Sequence, residues 1–180
     1  TGTLTSPTFV TPALGTPASG TLTDADLTFS GINATRLASG CFVYPSANLG
    51  CSGGGWTQMN MNLERFDLAG EYVVGAGTTT GRGRWTTVTA GYYEIKVQCT
   101  FVSMPDGKKM MVAIRQNNTN IGYGRNHSGL AENISVATFT HVNLAVDDYI
   151  EAWAFNGDGS SNRDHTSGNN GTTFMSITRL

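Results

Sequence analysis

Charge is scarce in this sequence. Lysine, arginine, aspartate and glutamate make up 13% of its 180 residues, and the eleven basic residues stand almost singly, Lys108 and Lys109 being a rare adjacent pair. With a net charge of −2 and no basic stripe to track a phosphate backbone, nucleic acid is not expected as a partner. Long apolar runs are missing too. The longest uninterrupted one, Met110 to Ile114, falls far short of the roughly 20 residues a membrane helix needs, so membrane insertion is not expected. Cysteine occurs three times, at Cys41, Cys51 and Cys99, never as CxxC, which excludes a Cys-rich zinc site. Cys41 and Cys51 bracket the turn-rich stretch from Tyr44 to Gly50; three reduced thiols are the expectation, and a bridge between these two across a hairpin is the alternative. The sequence opens Thr1-Gly2-Thr3 without initiator methionine, signal-peptide core or transit pattern, and is expected to be the C-terminal part of something longer.

What the sequence has instead is glycine, 23 residues of it, with threonine and asparagine in nearly every block. That composition favours β structure joined by polar turns. The first segment stands apart. Gly2-Thr3-Leu4-Thr5 returns as Gly20-Thr21-Leu22-Thr23, and between the copies lies a doubled pentad, Thr11-Pro12-Ala13-Leu14-Gly15 and Thr16-Pro17-Ala18-Ser19-Gly20. Proline strips donors from any ladder, and the isolated apolar residues Leu4, Phe9, Val10, Leu14 and Leu22 cannot form a core in one chain. Such a repeat orders only by burying those residues against identical chains; a flexible linker is the alternative. The expected division is an arm over 1–37 and a head over 38–180.

Beyond Ala38, strand signals follow one another: Cys41 to Tyr44, Trp56 to Leu63, Tyr72 to Val74, Arg84 to Val88, Tyr92 to Val102, Lys109 to Arg115, Ile121 to Arg125, Ile134 to Val146, Tyr149 to Phe155 and Thr172 to Leu180. Alternation is clearest where Tyr93, Ile95, Val97, Cys99 and Phe101 interleave with Tyr92, Glu94, Lys96, Gln98 and Thr100. About ten short strands of this kind make a sandwich.

The stretch from Thr80 to Ile95 resembles the complement globular-head and tumour-necrosis-factor-like family, in which an aromatic, five residues and then Gly-x-Tyr open the central strand; here these are Trp85 and Gly91-Tyr92-Tyr93. Leu144-x-x-Asp147-Asp148-Tyr149-Ile150-Glu151-Ala152 is similar to a second family segment, with Asp147 in place of the turn glycine, and the end from Thr173 to Leu180 to a third. The resemblance implies an all-β jelly-roll sandwich that assembles as a homotrimer, with aromatic and aliphatic strands facing the three-fold axis. The arm resembles the Thr-Pro-Gly-Thr repeats of bacteriophage tail fibres. Together the two segments imply the tip of a tail fibre in the virion, joined to shaft or baseplate upstream, that binds a glycan or protein receptor on the host cell. A secreted ligand or signalling module of the same head family, or a structural cap that registers three chains, are the alternatives.

Catalytic chemistry is not expected. No segment offers paired carboxylates or a nucleophile with its base, and His127, His141 and His165 are too dispersed for HExxH. No cofactor is implied. Asn156-Gly157-Asp158-Gly159-Ser160-Ser161-Asn162 spaces oxygens as a calcium loop does, but no Glu closes it, and an ordinary turn is the expectation. If the last strand ends beside the shaft, alternating strand direction carries the loops 104–108, 126–133 and 156–171 to the far end. Those loops supply the candidate receptor-binding residues: Asp106, Lys108, Asn126, His127, Glu132, Asn156, Asp158, Arg163, Asp164 and His165.

Overall fold

A computed structural model of the chain describes residues 39–74, 83–159, 163–166 and 172–180. The arm over 1–37 lies outside the described residues. Those that are described form thirteen strands and no helix. In chain order they are β1 (Gly40–Tyr44), β2 (Leu49–Cys51), β3 (Trp56–Gln58), β4 (Leu63–Asp67), β5 (Tyr72–Val73), β6 (Arg84–Thr86), β7 (Gly91–Met104), β8 (Lys109–Gln116), β9 (Thr119–His127), β10 (Glu132–Leu144), β11 (Tyr149–Asn156), β12 (Arg163–His165) and β13 (Phe174–Arg179).

They make two antiparallel sheets. The first runs β2-β12-β7-β13-β1-β4, with β10 along the other side of β7; the second runs β5-β6-β11-β8-β9, with β3 also on β11. The alternation in β7 explains the first sheet. Tyr93, Ile95, Val97, Cys99 and Phe101 are buried, each at most 1% exposed, while Tyr92 on the opposite parity is 64% exposed. The second sheet answers with Met110, Val112 and Ile114 of β8 and Ile150, Ala152 and Ala154 of β11, all buried. A single core between two sheets results, and burial of this apolar area is the main force holding it.

Several elements differ from expectation. Trp56 to Leu63 is two strands. β3 belongs to the second sheet and β4 to the first, and between them Met59 and Met61, each 1% exposed, plug into the core as the chain crosses over. Their own backbone groups are satisfied: Met59 N–H donates to Ala152 O at 2.9 Å, and Met61 O accepts from Tyr72 Oη at 2.8 Å. Cys41 and Cys51 do not form the alternative bridge across a hairpin. β1 pairs with β13 and β4, β2 pairs with β12, and all three cysteines are buried and free. Burial pushes the Cys41, Cys51 and Cys99 thiols up, away from the reactive thiolate.

The two ends of the sandwich are distinct. At one end the chain enters at Ser39, where the buried Glu71 carboxylate accepts from Ser39 Oγ at 2.9 Å, Gly40 N–H at 3.1 Å and Val88 N–H at 3.2 Å. The chain also finishes there: Gly40 is in register with Thr178, and Leu180 N–H donates to Tyr92 O at 2.9 Å. The turns after β6, β8 and β10 meet at this same end, tied by Thr87 N–H to Asp148 O at 2.8 Å and Asn117 N–H to Tyr149 O at 3.1 Å.

Candidate functional site

At the opposite end, hydrogen bonds gather the loops that follow β7, β9 and β11. Gly107 N–H donates to Ser128 O at 2.9 Å, Ser128 N–H to Lys108 O at 3.0 Å, Lys108 N–H to Ser128 Oγ at 3.0 Å, and Gly157 N–H to Lys109 O at 2.8 Å. Ser128 Oγ also donates to Pro105 O. A fourth element joins them that the sequence reading missed. The turn from Ser52 to Gly55 is held by Gly54 N–H donating to Asn156 O at 2.8 Å. Its only sequence signal is Gly53-Gly54-Gly55, which marks a turn without saying where the turn goes.

The ten candidate residues separate by burial. Asp106, Asn126, His127 and Glu132 are exposed on this end, whereas half-buried Lys108 directs its ammonium towards Asp158. Asn156 and Asp158 are props instead. Asn156 is 0% exposed, its Nδ2 donating to Cys51 O at 3.1 Å and its Oδ1 accepting from Asp158 N–H at 2.9 Å. Asp158 Oδ2 lies 2.6 Å from Arg163 Nη2, and its Oδ1 lies 3.7 Å from Lys108 Nζ. Side-chain oxygens committed in this way are not left facing outward to hold a cation. The connection over 156–171, read as a loop, contains β12, whose three residues pair with β2 and place His165 opposite Phe101. The side chains of Asp164 and His165 lie outside the described ones.

A second surface is the outward face of the first sheet. Strand register lines up Phe66, Phe42, Ser176, Lys96 and Phe139 in one row across β4, β1, β13, β7 and β10. Phe42 stacks on Phe174 with ring centroids 5.1 Å apart, and Phe66 and Phe139 are 40% and 67% exposed. Between Phe139 and Phe174 a shallow cavity of about 240 Å³ is floored by Lys96, Gln98 and Ala137. Four phenylalanines on one open face form a patch of the kind that marks an interaction surface.

The outward face of the second sheet differs in character. Trp153 and Phe155 of β11 lie beside Trp56 of β3, and the Arg115 guanidinium sits 3.9 Å from the Trp153 ring centre. Arg84 pairs with the buried Glu151 carboxylate at 2.6 Å, which also accepts from Trp153 Nε1 at 3.0 Å. Partial burial pushes the Arg115 guanidinium below its ordinary value, opposed by the nearby Glu151 charge.

No protein-family signature and no curated protein sequence matches the chain. Solved structures do. The Eiger TNF of S. frugiperda aligns with a TM-score of 0.58 at 13% identity, covering 81% of this chain and 94% of that one. The globular domain of zebrafish complement 1qA aligns with a TM-score of 0.56 at 8% identity, covering 79% and 97%. Murine APRIL aligns with a TM-score of 0.56 at 12% identity, covering 79% and 98%. The fold is the jelly roll of tumour-necrosis-factor and complement globular heads. Within this jelly roll Trp85 is fully buried against Tyr93, ring centroids 5.1 Å apart, where the sequence pattern placed a core aromatic. Asp147, at the position of the turn glycine, adopts φ 71°, the left-handed conformation that glycine favours.

Proposed function

We propose that the chain is the homotrimeric attachment head of a bacteriophage tail fibre, engaging a glycan or protein receptor on the host cell through the loops at the end remote from Ser39 and Leu180. The observation that carries the reading is the separation of the two ends. Chain entry and exit share one, and hydrogen-bonded loops bearing Asp106, Lys108, Asn126, His127 and Glu132 share the other. Polar loops on a rigid sandwich are suited to hydrogen-bond recognition. The phenylalanine-rich face of the first sheet supports assembly, since exposed aromatic side chains of this kind are covered when three copies close about an axis. The repeats of the arm support the virion setting, because a segment that cannot order in one chain suits a three-chain shaft.

A secreted ligand of animal type is the second reading, favoured by the similar structures, which are of TNF and complement proteins. Adsorption separates the two. Labelled full chain added to a panel of bacteria is expected to bind one host saturably and to block phage adsorption to it, with His127→Ala and Glu132→Ala reducing both. Absence of binding to any bacterium, with binding to animal cells, overturns the tail-fibre reading.

A further inference from the structure

The basic residues stand singly along the sequence, but the pleat collects four of them on the outward face of the second sheet. Among the described residues of its strands, Arg84, Lys109, Arg115 and Arg125 share that face with a single carboxylate, Glu151, which Arg84 already engages at 2.6 Å. Lys109 Nζ lies 5.3 Å from the Phe155 ring centre and Arg115 Nε donates to Asn120 Oδ1 at 3.0 Å, neither to an acid. In a chain of net charge −2, the negative charge lies elsewhere. Register places Trp153, Ala113 and Tyr123 in one row across β11, β8 and β9, with Arg125 two residues beyond Tyr123 on the same face. Tyr123 is 64% exposed. Its exposure is not required by folding, because Gly122 and Gly124 on the opposite parity make the packing against β10.

We propose that this face binds an acidic oligosaccharide, a sugar ring stacking on Tyr123 while its carboxylate pairs with the guanidinium of Arg115 or Arg125. A flat aromatic offers a partner to the C–H face of a pyranose, and the planar guanidinium fork matches a carboxylate. A nucleic acid is disfavoured because a few cations confined to one sheet face do not track a phosphate backbone. The surface lies on the sheet opposite the phenylalanine face, and the inference needs neither the trimer nor the tip loops.

The test uses the full chain and titrates a short polygalacturonate, dextran sulfate, neutral dextran and an oligothymidylate. Polygalacturonate is expected to bind and neutral dextran not to. Tyr123→Ala is expected to weaken polygalacturonate binding about tenfold, as loss of one stacking aromatic implies. Arg115→Lys, which keeps the charge and loses the fork, is expected to weaken it measurably, with Arg125→Ala doing the same. Melting temperature and adsorption to cells serve as independent readouts, since Tyr123 supports neither the core nor the tip. No binding of polygalacturonate at low salt overturns the proposal. So does equal binding by Tyr123→Ala, tighter binding of dextran sulfate that is indifferent to Tyr123, or displacement of the saccharide by oligothymidylate.

Discussion

Arg163 grips one oxygen of Asp158 with two nitrogens, Nη2 at 2.6 Å and Nε at 2.7 Å from Oδ2. Asp158 is 8% exposed, so this clasp fastens β12 to the end of β11 and does not face solvent. Asp158→Ala is therefore expected to lower stability by ~1–3 kcal/mol, because it strands a half-buried guanidinium and removes the charge facing Lys108. Asp106→Ala and His127→Ala, on exposed positions, are expected to stay within about 0.5 kcal/mol of wild type. Urea unfolding of the three variants checks this. Equal stability for Asp158→Ala would mean that the clasp contributes nothing.

Trp85 fills the space between the sheets, packed edge-on to Tyr93. Trp85→Ala is expected to cost ~3–5 kcal/mol, through lost transfer energy and the cavity left behind. A midpoint in denaturant like that of wild type would contradict the packing described.

Asp147 holds a left-handed backbone, φ 71°, while its N–H donates to Thr87 O at 2.9 Å. Asp147→Gly removes the steric cost of a Cβ there and is expected to stabilise by ~1 kcal/mol. Asp147→Ala, which keeps the Cβ, is expected to give no such gain.

Asp148 carries the acid response of the opposite turn. Its carboxylate accepts from Asn117 Nδ2 at 2.6 Å, Ala145 N–H at 2.8 Å and Gln116 Nε2 at 2.9 Å, and these bonds, that from Asn117 first, hold its carboxyl below the usual aspartate range. A depressed folded value means stabilisation present above the unfolded pKa of ~3.9 and lost as pH falls through the folded one. Asp148→Asn is expected to flatten that acid limb while leaving less stability at neutral pH. An unchanged slope below about pH 4 would contradict the assignment.

How much of this was legible in the sequence depends on whether a residue's partners are near it in the pattern. β7 showed itself through strict alternation, the sandwich followed from the succession of short strands, and Trp85 and the Asp147 turn came from the resemblance to the head family. β2 and β12 have three residues each, too few for a period to emerge, so their pairing was invisible. Trp56 to Leu63 looked continuous because Met59 and Met61 are apolar, although what they do is cross the core. Asn156 and Asp158 read as polar loop residues, since burial created by Cys51, Lys108 and Arg163 from distant segments leaves no local mark. The basic face was hidden for the same reason: Lys109 and Arg115 on β8 and Arg125 on β9 come together through register, not through sequence proximity.

Sedimentation of the full chain at micromolar concentration decides whether the attachment head is a trimer. A particle of three chains is expected, and Phe174→Arg and Phe139→Lys, on the open face of the first sheet, are expected to release folded single chains with the β signature of the wild type intact. A wild type that sediments as a single chain, or a trimer that both variants leave unaltered, would contradict this expectation.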